Sequence, residues 1–374
     1  MRAVAVFPTE KAIRLVDHPT PRIQRHGEVM LQVLDVGICG TDREIARFDY
    51  GRPPAGSPYL VIGHESLSRV VEVGAGVTRV SPGDLVVATV RRPCPHPHCR
   101  ACARGRQDFC FTGDFTERGI AGRHGFMTER VVEEERYLHV VPAHLRPVGV
   151  LVEPLTIAEK ALLQVSNVQD RLPWMDAGVR TRAQEGRDRC AVVLGAGPVG
   201  LLGCLTLLIR GFDTCVYSRE AADSTKARWV ESVGARYLSA DDVAIGDLTE
   251  QVGRIDLAYE ATGAASVSFA ALQELGTNGV FVFTGVPGRK GPIEIDAELI
   301  MRRLVLDNQL VFGTVNAGPD AFDAAIADLA RFRARWPDAL ASLITERHPP
   351  EAYVEVLTGP RSGIKAVIAF AEPA

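Results

Sequence analysis

Apolar and polar positions along the chain follow two different rhythms. Up to about residue 140 they alternate in short runs, as in Glu28–Leu34, Ser68–Val73 and Asp84–Val90, which predict β-strands. Gly and Pro turns such as Ser81-Pro82-Gly83-Asp84 separate these runs, and Met1–Pro8 reads as a first strand. This is the pattern of a barrel-like β domain that carries its chemistry on loops. From about residue 189 solid apolar strands alternate with helical stretches: Ala191–Leu194, a helix to about Arg210, Thr214–Tyr217, Ile255–Tyr259 and Gly279–Phe283. That alternation predicts a doubly wound parallel sheet, and an α/β class for the whole chain. Residues 167–190, polar and carrying Pro173, Trp174 and several Arg, read as an inserted loop or linker.

Length and composition agree with this division. The 374 residues suffice for two domains, each with its own core. The net charge of −4 comes from 42 basic and 46 acidic residues spread along the chain, without the basic stripe that nucleic acid or an anionic membrane would require. The first residues lack the long apolar run of a signal peptide, and later apolar runs are broken by Gly, Arg or Asp. A cytoplasmic protein is expected.

Eight cysteines in a reducing compartment then need an explanation other than disulfides. Cys190, Cys204 and Cys215 lie singly in apolar patterns and read as small buried hydrophobes. Cys94, Cys99, Cys102 and Cys110 crowd into one short segment rich in Pro, Arg and Gly. Four thiolates so spaced close a tetrahedron around zinc, leave no open position, and staple a lobe too poor in core to fold alone. Two disulfides are the alternative, as is His96 or His98 replacing one thiolate. The gap between Cys94 and Cys99 is longer than the usual two-residue gap and holds Pro95 and Pro97, which makes Cys94 the least secure of the four. A second donor set lies upstream. Cys39 and Gly63-His64-Glu65 offer a thiol, an imidazole and a carboxylate close together in the chain, a mixture zinc accepts where one position stays open for chemistry. Glu153-Pro154 adds a carboxylate in an apolar setting, where an unpaired charge is costly. Singly, Cys39 reads as a core thiol and His64 as a satisfied buried histidine; together the two motifs point to a metal.

The run Gly195-Ala196-Gly197-Pro198-Val199-Gly200 follows an apolar strand and opens an apolar helix, the context a dinucleotide phosphate loop requires. Gly195 makes the turn, Gly197 lets backbone approach the pyrophosphate, and Gly200 lets helix and strand pack closely. At the end of the next strand stand Ser218 and Arg219, with Glu220 one step later. An uncharged donor beside a guanidinium suits a 2′-phosphate, so NADP is favoured, while Glu220 leaves NAD open.

Cys39-Gly40-Thr41-Asp42, Gly63-His64-Glu65, the four-cysteine lobe and the glycine loop, in this order, resemble the zinc-dependent medium-chain alcohol dehydrogenases. Glu117-Arg118-Gly119-Ile120, His124-Gly125-Phe126-Met127, Leu151–Leu155 and Phe312–Asn316 place the resemblance among the archaeal-type glucose 1-dehydrogenases. It implies a GroES-like β-barrel catalytic domain over residues 1–188 and again over 316–374, around a Rossmann domain over 189–315. It implies a catalytic zinc on Cys39, His64, Glu65 and Glu153, with one carboxylate acting through water or only in some states. Cys94, Cys99, Cys102 and Cys110 would hold a structural zinc. Thr41 would relay the hydroxyl proton, and Asp42 would support an imidazole ligand. Thr41, Glu117, Glu153 and Asn316 would contact sugar; Pro198, Val199, Thr262, Thr284 and Asn316 would contact cofactor. His124 is assigned a structural part. A homodimer or homotetramer is implied.

The implied reaction is oxidation of an aldose at its C1 hydroxyl to the lactone, with glucose the first substrate to test. Another polyol, an amino sugar or a secondary alcohol is the alternative, since Thr89 stands where some sugar-oxidising relatives present asparagine. Likewise, Leu306 and Asp307 stand where a histidine could reach the sugar. A non-catalytic nucleotide-binding protein is disfavoured by the retained Cys/His/carboxylate set.

Overall fold

A computed structural model describes residues 1–174, 184–288, 291–360 and 362–371. The chain divides into two units, Met1–Thr156 with Asn316–Ala374, and Ile157–Val315.

The first unit is built on the ten-residue strand Glu28–Gly37, whose Val, Leu and Met side chains are buried on both faces. It pairs antiparallel with Glu65–Val73, with Arg130–Glu134 and with Lys365–Ala369, so a segment from far down the chain completes the sheet. The full order is Leu138–Val141, Leu85–Ala88, Glu65–Val73, Glu28–Gly37, Lys365–Ala369, Ile344–His348. A three-stranded sheet centred on Arg2–Phe7 joins Ala12–Asp17 and Leu60–Val61. Val33, Val36, Ile62, Phe126 and Ile368 belong to the core cluster of this unit. The run read as Asp84–Val90 holds one strand, Leu85–Ala88, which ends where Arg92 donates to the Thr89 carbonyl at 2.6 Å. Arg91–Arg92 then starts a small sheet with Thr116–Arg118 and Gly122–Arg123.

The second unit is a six-stranded parallel sheet with the order Arg236–Ser239, Asp213–Ser218, Cys190–Leu194, Ile255–Glu260, Leu275–Phe283, Leu310–Gly313. The chain winds outward from Cys190–Leu194 in both directions, so the crevice beside that strand's carboxyl end is the switch point where ligands bind. Val192, Leu194, Cys215, Leu272 and Phe281 cluster in its core. Cys190, Cys204 and Cys215 are buried free thiols. The dividing point at Thr156/Ile157 falls inside the Val152–Gln169 helix, earlier than residue 188, because the helix is tied into the second unit. Glu159 pairs with buried Arg210 at 2.8 Å, and Gln164 donates to Thr314 Oγ1 at 2.9 Å. The polar stretch read as a linker is therefore helical to Gln169, and its residues 175–183 lie outside the described ones.

Candidate metal and nucleotide sites

Cys39 precedes the short helix Gly40–Ala46, and a buried carboxylate fixes how the two metal motifs meet. Asp42 Oδ2 accepts the Cys39 N–H at 2.8 Å, and Asp42 Oδ1 accepts the Gly63 N–H at 3.2 Å. The same Oδ1 lies 3.5 Å from His64 Nδ1. Gly63 sits at φ +90°, and a Cβ there would stand 2.7 Å from Met127 Cγ and 2.8 Å from Val36 Cγ1, so the turn admits only glycine. The result brings one donor atom each of Cys39, His64 and Glu65 within 4.8 Å of one another. Burial opposes charge on His64, but Asp42 and Cys39 outweigh it and hold the imidazole well above its ordinary pKa.

Glu153 lies in the first turn of its helix, buried, and its side chain is not one of that close group. Burial pushes its carboxyl up to about 7, with Glu65 and Asp42 adding repulsion against the attraction of His64 and Lys365. Buried acids that repel one another around an imidazole and a thiol form a donor set that a divalent cation would relieve, and on that ground these residues fit zinc. Glu65 meets Lys365, which is 2 % exposed and also donates to the Ile38 carbonyl at 3.0 Å. Thr41, half-buried, occupies the second position of the Gly40–Ala46 helix.

The four-cysteine lobe has one helical turn, Arg100–Ala103, and a 3₁₀ turn, Gln107–Phe109. Ligand atoms of Cys94, Cys99, Cys102 and Cys110 all lie within 4.8 Å of one another, with Cys99 Sγ 3.8 Å from Cys110 Sγ. Sulfurs about 2.3 Å from a tetrahedral zinc would be separated by about 3.8 Å, so this spacing fits that ion. The longer gap before Cys99 does not displace Cys94, and no pair is bridged by a disulfide. His96 turns away to Asp114 at 2.9 Å, and His98 packs near Phe111.

Glu117 is a buried residue of the Thr116–Arg118 strand. Its Oε1 takes three donors: Arg91 Nε and Nη2, each at 3.1 Å, and Asn316 Nδ2 at 3.0 Å. Arg91 is itself held over the Phe115 ring at 3.7 Å. All three donors converge on one oxygen, so the carboxylate is fixed in orientation and Oε2 is left to other partners. Asn316 adopts φ +59°, a conformation asparagine tolerates, and its Oδ1 accepts the Ala317 N–H at 2.9 Å. Thr89 is buried with its hydroxyl accepting from Arg92 at 3.2 Å. Leu306 is exposed, and Asp307 ends the Ala297–Leu306 helix. His124 accepts the Val61 N–H at 3.1 Å and stacks on Tyr59, a structural arrangement in which burial lowers its pKa to about 4.

In the second unit the glycine loop sits at the carboxyl end of the central strand and opens the Pro198–Ile209 helix. A Cβ at Gly200 would lie 2.0 Å from the Gly195 carbonyl, and one at Gly195, at φ +104°, would lie 2.8 Å from Thr262 Cγ2. At Gly197 no protein atom stands within 4 Å of such a Cβ, which leaves the open cradle that a pyrophosphate fits. Thr262 and Thr284 both turn to Glu260, a fully buried residue. Glu260 Oε1 accepts Thr262 Oγ1 at 2.7 Å and the Gly263 N–H at 2.8 Å, and its carbonyl accepts Thr284 Oγ1 at 2.6 Å.

A family profile described as "Glucose dehydrogenase C-terminus" matches residues 146–370, and one described as "Alcohol dehydrogenase GroES-like domain" matches residues 25–143. A glucose 1-dehydrogenase of Methanocella arvoryzae is 37% identical over 369 residues, covering 98% of this chain and 99% of that protein. One from Thermoproteus tenax is 39% identical over 372 residues, covering 98% and 99%. The structure of Haloferax mediterranei glucose dehydrogenase in complex with NADP, Zn and gluconolactone superposes with TM-score 0.88 at 30% identity, covering 100% of both chains.

The chain belongs to the glucose dehydrogenase family.

The expected fold, a GroES-like catalytic unit with a Rossmann unit, is therefore that of the glucose dehydrogenases. Four positions that the residue pattern did not single out bear on the sites: Lys365 beside Glu65, Arg91 beside Glu117, Glu260 beneath Thr262, and Lys226. Lys365 stands alone in an apolar run and reads locally as an outward-facing strand residue. Arg91 and Arg92 read as a loop charge pair. Glu260 is the one of the four with a sequence signal, since an acid ending an apolar parallel strand must find donors.

Proposed function

We propose that this chain is a zinc-dependent aldose 1-dehydrogenase that favours NADP, oxidising a glucose-like sugar at C1 to its lactone. The observation that carries the reading is the close group of Cys39, His64 and Glu65, a donor set of three, the number that a catalytic zinc takes from protein. Cys39, His64, Glu65 and, through water or in some states, Glu153 would hold a catalytic zinc; Cys94, Cys99, Cys102 and Cys110 would hold a structural one. A zinc held there would supply a Lewis acid for the sugar hydroxyl, and a bound nicotinamide would supply the hydride acceptor. The chain's own side chains do the rest. Asp42 sets the angle at which Cys39 and His64 present their donors. Thr41 Oγ1 receives the hydroxyl proton and passes it towards water. Glu117 and Asn316 bond sugar hydroxyls, and a substrate lacking them leaves Oε2 of the buried Glu117 without that donor, which is how such a site discriminates. Gly195, Gly197, Pro198, Val199 and Gly200 would cradle the pyrophosphate, with Thr262 and Thr284 as further cofactor contacts.

Initial rates over a panel of aldoses, polyols, amino sugars and secondary alcohols, with NADP and NAD, test the reading together with a zinc assay. The expected result is two zinc per chain and highest kcat/KM for an aldose with NADP. A preference for a secondary alcohol would overturn the sugar assignment; Thr89, whose hydroxyl is already engaged by Arg92, is the observation that favours that second reading. We also propose a homo-oligomer. Val286, Met301, Val305 and Leu306 are 62–72 % exposed in the second unit, beside the edge strand Leu310–Gly313. Light scattering that gives one 40.5 kDa chain at micromolar concentration would refute it. No helix among the described residues is long and apolar enough to cross a membrane. Eight free cysteines agree with a reducing, cytoplasmic setting, which cell fractionation would check.

A further inference from the structure

Beside the glycine loop, three side chains are locked together at the carboxyl end of the Asp213–Ser218 strand. Ser218 is buried; its hydroxyl oxygen faces the Ala196 N–H at 3.4 Å, which ties it to the loop, and the hydroxyl donates to Glu220 Oε2. The other oxygen of Glu220 takes the Lys226 ammonium at 2.5 Å. The Tyr237 hydroxyl donates to the Glu220 carbonyl at 2.8 Å, which fixes the backbone of the turn. Lys226 enters from the first turn of the Thr225–Ser232 helix. Arg219, between Ser218 and Glu220, is exposed and forms no ion pair with a described residue.

The Glu220 carboxylate therefore takes up a hydroxyl and an ammonium, the donors that an adenosine 2′-phosphate would need from this turn. Resting on the NADP reading above, we propose that Glu220 is an internal stand-in for the 2′-phosphate and that Lys226 is the second cation of its site. When NADP binds, the phosphate replaces Glu220 on Ser218 and Lys226, with Arg219 as the other cation. When NAD binds, Glu220 stays in place and accepts the ribose 2′-hydroxyl. The arithmetic of charge agrees. Arg219 and Lys226 against Glu220 leave one net positive charge, too little for a phosphate carrying about −1.5 to −2 unless the carboxylate moves aside. Such an exchange makes the pocket tolerant of both cofactors, and the acid, more than the cations, sets the ratio.

The test is direct binding of NADPH and NADH to the full chain, followed by nicotinamide fluorescence, for the wild type, Lys226→Gln and Glu220→Gln. Both side chains are partly exposed, at 24 % and 30 %, so the variants should fold, and a melting curve checks this. Lys226→Gln is expected to weaken NADPH about tenfold or more, the worth of one charge-assisted bond, and to leave NADH within about twofold. Glu220→Gln is expected to tighten NADPH and weaken NADH, moving their ratio by about tenfold. Equal changes for both nucleotides, or a ratio that neither variant moves, would overturn the stand-in while leaving the dinucleotide site in place. A wild type that binds neither nucleotide would overturn both readings.

Discussion

Cys39→Ser is expected to lower kcat by well over about a hundredfold, while NADPH binding stays within about twofold of wild type. Loss of an outer partner of a metal ligand already costs about 10–100-fold, and Cys39 is placed as a ligand itself. The zinc content should fall from two per chain to one. The fold should survive, because Cys39 stands at the N-cap of Gly40–Ala46 and serine caps a helix well. Its backbone N–H also keeps the Asp42 bond at 2.8 Å whatever the side chain. The readouts are steady-state turnover, bound zinc and a melting curve. A folded variant with two zinc and full turnover would remove Cys39 from the metal site, and an unfolded one would make the site structural.

Glu133→Gln should be the most destabilising single substitution in the catalytic unit outside the cysteines. Glu133 is completely buried on the Arg130–Glu134 strand, where Arg118 Nε lies 2.8 Å and Arg123 Nη2 3.4 Å away and Arg92 closes the third side. Removing the one acid leaves buried guanidinium groups uncompensated, a loss of about 3–5 kcal/mol and, for a unit of this size, roughly 10 °C in Tm. The pH dependence follows from the same geometry. Burial alone would raise the Glu133 pKa, but the charges of Arg118, Arg92 and Arg123 hold it well below the ordinary carboxylate range. A carboxyl lowered by folding stabilises above its unfolded pKa, about 4.3, and loses that contribution as pH falls towards the folded value. Wild type and Glu133→Gln should therefore differ most at neutral pH, and their melting temperatures should converge below about pH 4. Parallel melting curves from neutral pH down through that range would refute the account.

The strands that were legible carry a solid or alternating apolar run: Glu28–Gly37, Cys190–Leu194 and Ile255–Glu260 extend the expected runs by a residue or a few, whereas Arg130–Glu134, Ile344–His348 and Lys365–Ala369 were not read. The buried thiols Cys204 and Cys215 were legible for the same reason. Boundaries were harder. The Val152–Gln169 helix extends into the stretch read as a linker because its polar residues, Glu159 and Gln164, have partners far along the chain, the buried Arg210 for Glu159 and Thr314 for Gln164. The metal motifs were readable from donor chemistry and spacing. Their connections were not. Lys365 reaches Glu65 from near the other end of the chain, Asn316 reaches Glu117 from beyond the nucleotide-binding unit, and no local period marks such a pairing. Glu117 and Asn316 could be named beforehand only through family resemblance, and Arg91, which fixes Glu117, not even so.

In the sheet of the catalytic unit Lys365–Ala369 pairs with Glu28–Gly37, and that has a consequence for biosynthesis. A ribosome has made every donor of the Cys39, His64 and Glu65 group once it adds Glu65, yet the cation that faces Glu65 is made only after the nucleotide-binding unit. The whole nucleotide-binding unit is translated in between, as one uninterrupted stretch. The nascent chain can therefore finish its Rossmann sheet first, with Asp35–Gly37 still lacking the Lys365–Ala369 partner meanwhile. The pairing of Glu65 with Lys365 therefore waits for the nucleotide-binding unit to be made, although Cys39, His64 and Glu65 all precede that unit in the chain.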